Sequence, residues 1–196
     1  MKLNKSTILA FVLLILVASL YRVWEGRPFG FAPQMAMAIF AGAIIKDKRW
    51  AILLPLLSMF LSDVFYQLLY ANGLSAIKGF YSGMWENYLL IAGLTCFGFL
   101  MKKSSVLNVL GFSISGSLLY FVVSNFLVWI GGGGYARPIT FDGLLQCYGD
   151  ALAFYRDYGL INGFAGNFLI GDVFFSMVLF GSYFLLRKPI AKTSVA

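Results

Sequence analysis

Apolar residues run in blocks along this chain, and short polar steps separate the blocks. The first block covers about residues 6–23, behind Lys2 and Lys5. Its small residues Ala18 and Ser19 form a poor cleavage site, so it reads as a retained first helix rather than a signal peptide. Pro28 and Gly30 break the pattern before a second block over about 31–45, which Lys46, Asp47, Lys48 and Arg49 close. Further blocks cover about 50–70, 84–101, 106–130 and 167–186, with Pro55 a predicted kink in the third. Residues 140–158 differ. Leu144, Leu145, Tyr148, Leu152 and Tyr155 approximate one apolar face behind an N-cap at Thr140, but Asp142, Asp150, Arg156 and Asp157 are too polar for a crossing. The predicted fold is an all-α integral membrane protein with one domain over residues 1–196. It is a single bundle of six transmembrane helices, with an interfacial or re-entrant helix between the fifth and sixth spans.

Composition supports that class. Hydrophobic residues make up 60% and charged residues only 12%, about half the charged share of a soluble domain. The net charge of +7 comes from Lys and Arg placed at block ends, without the basic stripe that nucleic acid would need. With six spans and a cytoplasmic amino terminus, ten of the 15 basic residues fall inside, which is the bias that sets membrane orientation. Both termini are then expected in the cytoplasm. The chain has no His, which excludes Ser–His–Asp and Cys–His catalysis and histidine metal sites. Cys96 and Cys147 lack C-x-x-C spacing, so neither a structural metal nor a cofactor is expected.

Candidate chemistry centres on two acids inside lipid-spanning blocks, Asp63 and Asp172. An intramembrane carboxylate is costly and normally faces a protein interior or a watery cavity. In the six-span topology both acids, together with Asn125, Asn167, Glu86 and Asn87, fall in the outer part of their spans. This shared depth predicts an outward-facing polar cavity. Asp63, Asn125, Asn167 and Asp172 are its expected ligand contacts and Trp129 and Tyr148 its walls, with Phe154, Tyr155 and Tyr158 in the roofing loop. Two blander readings compete: the aromatics anchor span ends at the lipid interface, and Asp172 caps the sixth helix. The small residues Ala32, Ala36, Ala38 and Gly42 repeat at helical spacing. They suit either close packing inside the bundle or docking of a partner membrane protein.

Several motifs recur in a familiar order: Phe31-Ala32-Pro33 before the small-residue helix, Leu61-Ser62-Asp63, Asn125-Phe126-Leu127-Val128-Trp129, Gly143-Leu144 with Cys147-Tyr148, and Asn167 with Gly171-Asp172 and Phe180-Gly181. The pattern resembles an uncharacterised bacterial family of six-span transport-type proteins, itself similar to the S components of energy-coupling-factor vitamin transporters. The resemblance implies a subunit of the bacterial inner membrane that captures a vitamin or other micronutrient from outside. A transmembrane scaffold subunit and cytoplasmic ATPases would energise it, since this chain has no G-x-x-x-x-G-K-[ST] phosphate loop. S components carry an alanine-rich docking face, a role that falls here on Ala32, Ala36, Ala38 and Gly42. Cobalamin is one implied ligand, with Cys96 or Cys147 as a soft ligand for its cobalt.

Two other function classes stay open. A proton- or ion-coupled secondary transporter or channel would use Asp63, although such proteins are usually larger. An intramembrane aspartyl protease would pair Asp63 with Asp172. Leu169 stands where that motif needs its first glycine, and Ser62 where a tyrosine is usual. The reading is therefore a binding and transport protein rather than an enzyme.

Overall fold

A computed structural model describes residues 5–28, 30–132, 136–152 and 167–186. The described residues form seven helices and no strand: α1 (Lys5–Val23), α2 (Gln34–Ile44), α3 (Lys48–Ala71), α4 (Met84–Gly98), α5 (Val106–Ile130), α6 (Phe141–Ala151) and α7 (Asn167–Leu186). Local chemistry sets several of the starts. Asp47 caps α3 through the Arg49 N–H at 3.0 Å, Ser105 caps α5 through Asn108, and Thr140 caps α6 through Gly143 at 3.1 Å. Helix α2 opens behind Pro33, which makes no side-chain cap bond.

Among the described residues three helices, rather than six, are long and apolar enough to cross a membrane: α3, α5 and the Phe168–Leu186 stretch of α7. The apolar stretch Ile8–Val23 of α1 and the whole of α2 are shorter. At 1.5 Å per residue, the 11 residues of α2 and the 15 of α4 extend only about 16 and 22 Å, against a hydrocarbon core of about 30 Å. Local breaks account for the shortness of α2 and α4. Pro33 delays the start of α2 and Ile45 leaves it in an extended conformation, while tight backbone bonds from Phe99, Leu100 and Met101 end α4 early. Apolarity alone did not reveal those breaks. The long helices still present apolar surfaces outward, with only 22% of the apolar window buried in α5 and in α7. Leu9, Val17, Leu107 and Leu185 are among many exposed large hydrophobics, a surface that suits lipid rather than water.

Helix α2 sits in the middle, packed on α3, α4, α5 and α7. Ala36, Met37, Ala38 and Ala41 are fully buried there. Its small residues are needed for contact with α4: a Cβ on Gly42 would come within 2.2 Å of the Thr95 carbonyl, and one on Gly98 within 2.6 Å of the Ile39 carbonyl. Apolar clusters continue outward from α2, through Ala18, Ala51 and Leu54 on one side and Met59, Ile91 and Leu94 on another.

Candidate functional site

The last turn of α1, the late part of α3 and the first turns of α4 meet at one end of the bundle. Arg22, the penultimate residue of α1, is paired with Asp63 of α3, whose side chain is only 3% exposed. The same guanidinium donates to Ser62 Oγ at 2.6 Å, and Tyr88 of α4 donates to the other Asp63 oxygen at 2.7 Å. Both carboxylate oxygens therefore have donors, which is how a buried acid is tolerated. Tyr66, one turn further along α3, donates to the Arg22 carbonyl at 2.7 Å. Arg27 donates to that carbonyl through Nε at 2.7 Å and reaches the Tyr66 hydroxyl at 3.4 Å. The loop after α3 is seated on this corner: a Cβ on Gly79 would meet the Asp63 carbonyl at 1.8 Å.

A cavity of about 220 Å³ adjoins this network. Its polar wall is Arg22, Arg27, Gln34, Asn87 and Tyr120, and its apolar wall includes Met35, Met59, Ile91 and Phe168. Six helices (α1 to α5 and α7) thus contribute, along with the loop that leads into α2. Tyr120 of α5 donates to Asn87 Oδ1 at 2.9 Å, and the Asn87 amide donates to the Tyr81 hydroxyl at 2.7 Å. A second cavity of about 360 Å³ shares Arg22 and Arg27 and reaches Asp63, Tyr66 and Lys78. Gln34 is 6% exposed; its amide reaches the Ala18 carbonyl at 3.3 Å, and its Oε1 has no hydrogen-bond partner.

Of the six residues expected from sequence to share a site, the five whose side chains are described are distributed over three places. Asp63 joins the network just described. Trp129 and Tyr148 hold α6 and its preceding loop against α5: Trp129 Nε1 donates to the Pro138 carbonyl at 3.0 Å, and Tyr148 donates to the Val122 carbonyl at 3.0 Å, while the Asn125 amide bonds within α5. Asp172 is 1% exposed in α7 and faces α5, with Ser117 as its polar neighbour and the Ser113–Ser176 hydroxyl pair also buried there. Neither Asp172 oxygen makes a hydrogen bond of ordinary geometry. Asn167 begins α7, but its side chain lies outside the described residues, as do Phe154, Tyr155 and Tyr158. None of the described members of the set except Asp63 lines these two cavities.

Ala36, Ala38 and Gly42 are buried in the bundle, and Ala32 lines the cavity, so the small-residue stripe faces inward in the described fold. Cys96 is exposed on α4, and Cys147 is buried, with its thiol 3.8 Å from the Asn125 carbonyl. Burial, with the Asp150 carboxylate nearby, pushes that thiol up. Neither cysteine is on a wall of the polar cavities, and no cluster of metal-ligating side chains occurs among the described residues.

Arg22, Arg27, Gln34, Tyr88 and Tyr120 were not legible as site residues. Arg22 and Arg27 looked like orientation charges. One signal was available for Arg22, because it is the only basic residue deep enough to lie within the predicted first span, as Asp63 lies within the third.

None of the curated proteins and none of the solved structures compared matches this chain. No link to the energy-coupling-factor S components emerges. A family model does match, over residues 2–193, and on that ground the chain belongs to a family of unknown function, DUF6580.

Proposed function

We propose that this protein is a membrane-embedded binding subunit that captures a small molecule in the cavity between α1, α2, α3, α4, α5 and α7 for uptake. The carrying observation is the pairing of a polar wall (Arg22, Arg27, Gln34, Asn87, Tyr120) with an apolar one (Met35, Met59, Ile91, Phe168) in a single concavity. Small-molecule sites have this composition: apolar surface supplies affinity, and a few fixed polar groups select orientation. In this reading α3, α5 and α7 are the full-length spans and α1, α2 and α4 the shorter ones of a six-span bundle, an even number that returns the chain to the side on which it began. The basic residues orient it with the termini in the cytoplasm of a bacterium and the cavity facing out. Energy for uptake then comes from a scaffold subunit and ATPases, as in the S-component resemblance. The scaffold would meet the exposed apolar helices, since the small-residue stripe of α2 is occupied.

The size of the cavity argues for a compact ligand. At about 220 Å³ it lies below the usual range of roughly 300–1,000 Å³ for drug-sized molecules, so a corrinoid is a poor fit. Proteolysis also gains no support, because Asp63 is engaged by Arg22 and Tyr88 while Asp172 belongs to a separate serine-lined cluster.

Native mass spectrometry of the gently purified protein tests the proposal. A small molecule bound to the wild type and lost from Asn87→Leu and Tyr120→Ala is expected. A molecule retained by both variants would place the site elsewhere.

A further inference from the structure

Charge in this cavity is not balanced. Arg22 is neutralised by Asp63, but Arg27 makes no ion pair among the described residues. Its guanidinium is held by uncharged acceptors only: the Arg22 carbonyl, the Pro28 carbonyl and the Tyr66 hydroxyl. Those bonds fix the fork at the wall while leaving donor capacity, since a guanidinium carries five N–H groups.

Helix α2 adds to the same imbalance. Ala32, Gln34 and Met35 place its amino-terminal end on the cavity wall. Pro33 supplies no side-chain cap, and no acid stands in the first turn. The first intrahelical bond into this turn comes from the Met37 N–H, so the earlier N–H groups are not satisfied within the helix. An uncapped helix start favours negative charge.

Gln34 provides an independent observation that points to a ligand. It lines the cavity, more than nine-tenths buried, and its Oε1 has no partner. A buried amide oxygen left without a donor is costly, so this one calls for an N–H or O–H from whatever fills the cavity.

We propose that the cavity binds a small organic anion. Its carboxylate or phosphate group lies against Arg27 and the start of α2, its ring or short aliphatic body packs on Met35, Met59 and Phe168, and an N–H or O–H of the ligand satisfies Gln34. This rests on the binding-subunit reading and adds the chemical class of the ligand.

Ligand-observed NMR titrations in nanodiscs of neutral lipid test it with matched probes. The probes are 4-hydroxybenzoate, its neutral isostere 4-hydroxybenzamide, benzoate without the O–H donor, and phenyl phosphate. The expected result is at least tenfold tighter binding of 4-hydroxybenzoate than of the amide. Arg27→Gln should remove that preference and Arg27→Lys should keep it. Gln34→Leu should weaken 4-hydroxybenzoate more than benzoate. Phenyl phosphate binding above or below 4-hydroxybenzoate decides which anion the site prefers. Equal binding of the acid and the amide to the wild type would overturn the anion proposal and leave the cavity reading standing. Failure of every ring probe, with a co-purified molecule insensitive to Asn87→Leu, would overturn both.

Discussion

Replacing Arg22 by Met keeps most of the aliphatic stem and removes the guanidinium, so it isolates the charge. In the wild type that guanidinium pairs with Asp63 and donates to Ser62 at 2.6 Å. After the change Asp63, 2% exposed, keeps only the Tyr88 hydroxyl at 2.7 Å. Removing one partner from a buried ion pair costs about 3–5 kcal/mol, because the remaining charge is stranded out of water. The Arg22 side chain is itself 20% exposed, so water reaches part of the site and the low end applies, about 3 kcal/mol. Adding Asp63→Asn to Arg22→Met removes the stranded charge and should restore stability to within about 1 kcal/mol of the wild type. Asp63→Asn alone should be worse than the double variant, because it leaves Arg22 facing an amide. Reversible unfolding in mixed micelles, followed by circular dichroism across a series of SDS fractions, measures all four corners of the cycle. Arg22→Met within 0.5 kcal/mol of the wild type, or a double variant as unstable as the two singles combined, would show that the pair does not hold α1 to α3 (thresholds of about the noise of such cycles).

Asp172→Asn should change stability by less than about 1 kcal/mol in the same assay, since Asp172 has no cationic partner among the described residues and an amide keeps its shape. Gly42→Ala should cost about 1–3 kcal/mol, because its Cβ would press on the Thr95 carbonyl and force α2 from α4; a thermal-aggregation midpoint equal to that of the wild type would contradict this packing. Cys96, exposed on α4, should react with a membrane-permeant maleimide well before Cys147, which is 0% exposed and whose raised pKa keeps the nucleophilic thiolate scarce near neutral pH. Raising the pH should narrow the gap only partly, since burial still limits access; mass spectrometry of the two labelled peptides reads the order directly.

Helical class, the number of apolar blocks and most element boundaries were legible along the chain, because alternation of apolar blocks with polar steps is a local property. The cap at Thr140 follows from the same local chemistry, and the third and fifth blocks became α3 and α5 with little change. Crossing length was less legible. Apolar residues continue through the ends of α2 and α4, whereas α2 begins only after Pro33 and ends at Ile45, and α4 ends after Gly98. Composition is blind to such breaks when they are made by hydrogen-bond geometry rather than by polar residues.

The candidate site shows the sharper division. That Asp63 needs a partner follows from the cost of an acid at that depth, and could be read from one dimension. Which residue answers it could not: Arg22 is 41 positions away and Tyr88 is 25. Asn125 was expected beside Asp63, yet its amide bonds within α5, while Trp129 and Tyr148, expected as walls of the same site, join α5 to α6 and its preceding loop instead. Helix rotation about its own axis decides this, because residues at one depth point in different directions every 100°. Rotation is set by packing, here by Gly42, Gly98 and the fully buried alanines that bring α2 against α4. Depth is therefore encoded along the chain, while direction exists only once the helices have met.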